Sequence, residues 1–176
     1  MTAPVSNTRY VSDGRIAIDI SNVGSACSYA PNETHIGVAG SEFVYVLAAA
    51  AINQGGMVAI DGSGVARTVT GDSYTSASAS LSYRLGFAQT AFAASQWGFV
   101  AVRGSKVLVR VQGNVTQGAP LYTTNTAGEL GATTASASQF GILGVLIEST
   151  ASASGTSATV STANLSFPLV RRPKSL

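Results

Sequence analysis

Apolar and polar residues alternate with a period of two along much of this chain. In residues 15–20, Ile16, Ile18 and Ile20 fall on one face of an extended segment. That alternation is typical of a half-buried β-strand. β-Branched and aromatic residues predict further strands at 42–48, 56–60, 65–70, 81–87, 96–103, 106–111, 140–147 and 164–170. We therefore expect an all-β fold, either a compact β-barrel or a β-sandwich.

Glycine-containing turns separate several of these segments. The glycines of Asp61-Gly-Ser-Gly adopt positive φ at no steric cost, so the flanking strands can close as a hairpin. Gly104-Ser predicts a second hairpin, between strands 96–103 and 106–111. Segment 140–147 is apolar on both faces, which predicts a central strand buried on both sides. Pro168 places the last strand at a sheet edge.

Two segments echo each other. Ile52-Asn-Gln-Gly-Gly-Met-Val and Val115-Thr-Gln-Gly-Ala-Pro-Leu each run from an apolar residue through Gln-Gly into a short strand and a turn that ends in glycine. Each is followed by a glycine-containing apolar segment, at 84–88 or 140–145. An internal echo describes how a chain is built. Diverged copies of one unit and repeated use of one hairpin design both explain it.

The chain is expected to divide at residue 40. Prolines and glycines interrupt residues 1–40, which predicts an extended N-terminal arm, and residues 41–176 form a single β domain. Little helix is expected, because 48–51 and 90–96 hold no more than short helical connectors. The Ser- and Ala-rich stretches 74–80 and 149–159 predict loops or exposed strands.

Charge is scarce and unevenly placed. Charged residues make up 10% of the 176, against about 25% in an ordinary soluble protein. A surface of this kind favours contact with other protein. The net charge is +2, and Arg171, Arg172 and Lys174 provide three of the ten basic residues, so the rest carries −1. Nucleic acid is therefore not an expected partner.

A membrane location is not expected either. The longest apolar run, 43–52, has ten residues, whereas a bilayer crossing needs about 20. The first residues lack the apolar centre of a secretion signal. We expect a soluble protein made in the cytoplasm.

Reactive groups are few, and we expect no enzyme and no cofactor. His35 is the single histidine, and no Gly-x-Ser-x-Gly motif is present. Cys27 and His35 supply only two of the ligands that zinc needs. As a pair they predict a small buried side chain and an exposed one rather than a thiolate pair. Asp61 is expected in a turn rather than at calcium. Trp97 and Phe99 alternate with Gly98 and Val100, which favours core packing over base stacking.

A family resemblance is carried by seven segments in order. They are Ile52-x-Gln-Gly-x-x-Val, Asp61-x-x-Gly-Val, Trp97-Gly-Phe-Val-x-Val-x-Gly with Val107-x-Val-x-Val, Gln117-Gly-x-Pro-Leu-Tyr-x-Thr, Ala127-Gly, and Phe140-Gly-Ile-Leu-Gly-Val. This series, over roughly 43–147, resembles the capsid cement (decoration) proteins of tailed bacteriophages. The resemblance implies a structural virion protein, made in the host cytoplasm, that binds the outer capsid surface and bridges major capsid subunits. It also implies a homo-oligomer, a dimer or a trimer.

The two ends of the chain extend beyond the resemblance. We expect them to contact the capsid or neighbouring copies, because an extended segment can add to a partner's sheet edge. The candidate contact residues are Arg9, Tyr10, Arg15, Arg171, Arg172 and Lys174. The alternative is a head fibre or a receptor- or carbohydrate-binding module, with Tyr74, Tyr83 or Tyr122 lining a groove. A small hydrolase, the third reading, would depend on His35.

Overall fold

The computed structural model describes residues 10–12, 17–37, 40–71, 84–113, 115–132, 139–151 and 158–171. Their regular structure is nearly all β, which confirms the predicted all-β class. The strands within these ranges are β1 Tyr10–Ser12, β2 Ala17–Asp19, β3 Thr34–Ile36, β4 Glu42–Ala48, β5 Met57–Ile60, β6 Val65–Thr68, β7 Arg84–Ala88, β8 Trp97–Gln112, β9 Leu121–Thr123, β10 Leu130–Gly131, β11 Gly141–Ile147 and β12 Ala158–Arg171. β1 and β2 form a two-stranded ribbon, and the other ten form one sheet.

The large sheet closes on itself twice. β4, β5, β6, β7 and the first half of β8 form a ring, which we call ring 1. The second half of β8 forms a further ring with β9, β10, β11 and β12, which we call ring 2. Closure gives most strand edges a hydrogen-bonding partner, so few are left open to solvent.

The two rings have the same strand order. In each, the first strand pairs in parallel with the third, at Ala48–Ala66 in ring 1 and Val111–Leu130 in ring 2. The third strand then pairs with the second, the second with the fourth, the fourth with the fifth and the fifth with the first, all antiparallel. The chain therefore contains one five-stranded unit twice, with β8 serving as the last strand of one copy and the first of the other.

The echoed Gln-Gly segments occupy equivalent places in the two rings. Ile52 bridges to Phe92, and Val115 bridges to Ala151, in each case joining the connection after the first strand to the connection after the fourth. Three residues beyond Ile52 and Val115, Gly55 and Gly118 share a φ of 75°. Of the two explanations for the echo, the repeated strand order favours diverged copies of one unit.

β8 corrects the most definite hairpin prediction. Gly104-Ser does not reverse the chain, because β8 runs through it as one strand of 16 residues. Gly104 with φ 139° and Lys106 with φ 55° bend the strand instead. β12 pairs across the bend, with Leu165 opposite Gly104 and Ser166 opposite Arg103. The prediction was wrong because a partner strand distant in sequence holds the chain extended.

The predictions for the last two strands were also wrong in part. β11 lies between β9 and β12, but Leu143 and Leu146 are about half exposed, so only one of its faces is buried. β12 lies between β11 and β8 and is not an edge strand. Its Pro168 is tolerated because it follows Ser166, the last residue that pairs with β8.

Two sets of buried side chains fill the structure. The interior of ring 1 contains Val44, Val46, Ile52, Val58, Ile60, Phe92, Val100 and Val102. The second set joins the interior of ring 2, including Val107, Val109, Leu121, Leu130 and Ile147, to the outer side of ring 1, including Phe43, Met57, Phe87 and Phe99. Ring 1 therefore packs against ring 2 through apolar side chains as well as through the shared strand.

The described part of the predicted arm lies against ring 1. β3 pairs with β4, Gly24 bridges to Trp97, and Ile20 is buried in the core. We call residues 20–37 the covering segment. The division at residue 40 remains a prediction, although this segment contributes to the same core as the rings. The predicted helical connectors at 48–51 and 90–96 are bends and turns rather than helix.

The first Gln-Gly turn holds the rings together, which gives a test with a matched control. A Cβ on Gly55 would lie 2.8 Å from the Arg110 amide nitrogen, whereas one on Gly118 would meet nothing within 4 Å. Both glycines have the same positive φ, so Ala costs about 1 kcal/mol of backbone strain at either. We expect Gly118→Ala to lower the free energy of unfolding by about that amount and Gly55→Ala by about 3 kcal/mol. Urea unfolding measures both, and equal losses would contradict this account of the ring junction.

Candidate docking surface

The structure places two of the six predicted contact residues. Tyr10 lies in β1 opposite Asp19, and Arg171 is the last residue of β12, opposite Gly141. Arg9, Arg15, Arg172 and Lys174 lie outside the described residues. The structure thus neither joins the two predicted ends into one site nor separates them.

The exposed apolar side chains are concentrated on β11 and β12. Of the six large hydrophobic residues exposed in the described ranges, only Ile36 lies elsewhere, on β3. Leu143 and Leu169 are directly opposed across the two strands, so they point to the same side of the sheet. Leu146 and Phe167 lie nearby on the same pair of strands. We call Leu143, Leu146, Phe167 and Leu169 the β11–β12 face, and Val160 lies further along β12.

A bulge brings these side chains to one side. The register of β11 against β12 shifts between Leu143 and Val145, at Gly144, which has a φ of 76°. A Cβ on Gly144 would lie 2.5 Å from the Ser166 carbonyl oxygen, so only glycine fits. Three residues of β12, 166–168, are opposite the single Gly144, so β12 carries two extra residues here. On β11, Leu143 and Leu146 both face outward although they are three positions apart. Sequence periodicity missed the face because the bulge breaks the period of two.

A cluster of charges adjoins the β11–β12 face. The Arg103 guanidinium lies 5.4 Å from the centre of the Phe167 ring, a cation–π distance. Arg103 also lies 3.6 Å from the Glu42 carboxylate, which the Arg84 guanidinium approaches to 3.1 Å. Two arginines share one carboxylate, and both are more than one third exposed. The cluster therefore presents a net positive charge beside the apolar side chains.

Aromatic rings fix the covering segment to ring 1. The centre of the Tyr29 ring lies 5.1 Å from that of Tyr45 and 5.4 Å from that of Phe99, and Tyr45 in turn stacks on Trp97. Phe99 is buried and Trp97 half-buried against the core, as predicted. A cavity of about 90 Å³ opens beside them, lined by Asp19, Asn22, Gly24, Ala26, Ser28, Tyr29, Tyr45, Trp97 and Phe99. Ligand sites are usually about 300 Å³ or more, so this cavity suits a few water molecules better than a substrate.

The prediction for Cys27 and His35 was wrong in its assignment. Cys27 is exposed, and its thiol donates to the Tyr29 carbonyl oxygen at 3.0 Å. His35 is 7% exposed, because it points inward from β3 to pack edge-on against Tyr29 and Phe99. Its Nε2 lies 3.1 Å from a Glu33 oxygen but makes no well-aligned hydrogen bond. The two side chains do not form a thiolate pair.

The remaining chemical candidates do not come together. Within the described ranges, no three His, Cys, Asp or Glu side chains are grouped as metal ligands would be. Tyr122 is half-buried in β9, while Tyr74 and Tyr83 lie outside the described residues. No helix in the described part of the chain has the length and apolarity needed to span a membrane.

Comparison with known proteins adds no identification. No protein-family profile matches the chain, and no curated protein is detectably similar to it.

Asp61 organises the turn that follows the first Gln-Gly segment. Its Oδ1 accepts hydrogen bonds from the Ser63 hydroxyl and from the Ser63 and Val65 amides, and its Oδ2 pairs with Arg67 at 2.8 Å. Burial alone would raise the carboxyl pKa, but these bonds outweigh it and lower the pKa from 3.8 to about 2. The carboxylate is used by the turn, as the sequence predicted.

Asp61→Asn tests this turn through pH. Because the folded pKa is depressed, the carboxylate stabilises the protein above about pH 4, and this contribution disappears as the pH falls to about 2. We expect the variant to be about 1 kcal/mol less stable than the parent at neutral pH, a figure that already allows for the partial exposure of the Asp61 carboxylate. The difference narrows toward pH 2 in urea unfolding. A difference that stays constant over this range would contradict the role of the charge.

Proposed function

We propose that the protein is a structural component of a virion, a decoration protein that binds the outer surface of an assembled capsid. The observation that carries this proposal is the β11–β12 face, where apolar side chains about half exposed lie on rigid strands of a closed ring. Exposed apolar clusters on otherwise polar surfaces mark contacts with other molecules. The resemblance of segment 43–147 to capsid cement proteins supplies the class of partner, the major capsid protein.

The architecture suits a role that needs stiffness and no reaction. Two closed rings share one strand, and further backbone hydrogen bonds join them, from Arg110 to Gly55 at 2.7 Å and from Met57 to Gly128 at 2.9 Å. A body of this kind holds its docking surface in a fixed shape, which limits the entropy lost on binding. A protein that binds only the assembled shell then stabilises that shell by mass action.

Many weak contacts suffice for such a protein. Each copy needs only modest affinity, because a subunit that bridges two capsid proteins links neighbouring sites of one lattice. Dimers or trimers of the protein are part of the proposal, since they match the local symmetry axes of a closed shell. Sedimentation equilibrium of the purified protein measures its oligomeric state.

Binding to shells tests the function directly. The purified chain is mixed with empty capsids assembled from the major capsid protein of the same genome and with the same subunits unassembled. We expect saturable co-sedimentation with the shells alone. At about 100-fold excess over the dissociation constant, each occupied site stabilises the shell by about 2.7 kcal/mol, so the shells should dissociate at a higher temperature. Binding to glycans without binding to shells would overturn the proposal and favour the receptor-binding alternative.

A further inference from the structure

Among the residues that the structure describes, one side of ring 2 lacks a cover that its counterpart in ring 1 has. In ring 1, Phe87 on the fourth strand is opposite Ala101 on the fifth, and both are buried. The corresponding pair in ring 2 is Leu146 opposite Asn164, and both are exposed. The same position of the repeated unit is therefore buried in ring 1 and exposed to solvent in ring 2.

The outer side of the fifth strand gives a second comparison. In ring 1 it carries Trp97 and Phe99, where Tyr29 of the covering segment packs against the Phe99 ring and Gly24 pairs with the Trp97 backbone. The residue of β12 in the place of Trp97 is Val160, which is 38% exposed. Stacked repeat units need a cover on each terminal surface. Within the described residues, ring 1 has such a cover and ring 2 does not.

A second copy of the chain is a poor fit to this open side. A stable pair buries about 800 Å² on each partner, and four half-exposed apolar side chains on two strands provide only part of that. A two-fold contact would pair this surface with an identical one. Both sides would carry the Arg84, Glu42 and Arg103 cluster with its excess of one positive charge, so neither would offer an excess of carboxylates to the other.

The charges indicate the partner. The net positive cluster borders the apolar side chains at Phe167, whose ring lies beside the Arg103 guanidinium. Carboxylates at the edge of an apolar contact complement such a surface and orient it. We propose that the β11–β12 face docks on a capsid-protein surface that is apolar at its centre and carries Asp or Glu side chains opposite Arg103. This assignment rests on the proposed function.

Two variants and two matched controls test the assignment on assembled shells. Leu143→Ser combined with Leu169→Ser removes the opposed apolar pair, and Arg103→Glu reverses the charge. Ile36→Ser removes a comparably exposed apolar side chain from β3, and Arg67→Glu reverses an exposed arginine that is likewise paired with a carboxylate. Urea unfolding, followed by the fluorescence of Trp97, the single tryptophan, verifies that each variant is folded.

We expect each face variant to weaken shell binding at least tenfold and each control to change it less than threefold. Binding of the parent should weaken as salt rises, and Arg103→Glu should lose part of that dependence. If the parent binds and the folded face variants bind as well as the controls, the docking assignment is overturned and the proposed function stands. If the parent does not bind shells, both the docking assignment and the proposed function are contradicted. A dimer of the parent that the double serine variant abolishes would make the face a contact between copies and would also overturn the assignment.

Discussion

The structure depends on one strand that stays extended through a glycine bend. β8 has sixteen residues, and its two halves belong to different rings. Its first half pairs with β4 and β7 and its second half with β12 and β10, and Arg103 pairs with both Glu42 of β4 and Ser166 of β12, so these two strands lie on opposite edges of β8. Because buried backbone groups must be hydrogen-bonded, neither ring can close without its half of β8. The positive φ of Gly104 and Lys106 turns the strand from one ring into the next without interrupting it.

Sharing a strand also dictates where the rings can touch. The turn at Gly55 approaches the backbone of Arg110 in the second half of β8, and the turn at Gly128 approaches Met57 at the start of β5. Arg110 is held in addition by an ion pair at 2.9 Å with Glu129, which is 7% exposed. Glycines of the repeated turns thus serve both as turn residues and as points of close backbone approach. Two units that would be separate in a tandem repeat become one rigid body.

The sequence predicted the composition of the fold better than its connections. The content of β-branched and aromatic residues placed the segments of β4, β5 and β6 correctly, because such side chains pack well on the pleated surface of a strand. The prediction failed at Gly104-Ser, where the local signal is the same for a hairpin turn and for a bend, and pairing with β12 decides between them. The repeat was visible in the sequence through the two Gln-Gly segments. A third turn of the same kind follows Phe92, but the residue with positive φ there is Ser95 rather than glycine, so the sequence does not indicate the turn.

The candidate surface was missed for a related reason. Segment 140–147 reads as apolar on both sides, and a strand of that kind is normally covered on both sides. Here a bulge at Gly144 and the absence of a covering segment in the described part of ring 2 leave one side of it facing solvent. In ring 1, the equivalent pair, Phe87 and Ala101, is buried in the apolar set that joins the two rings, and the covering segment lies against Phe99 and Trp97. Under the proposed docking, the partner supplies for ring 2 the cover that the equivalent strand face has in ring 1.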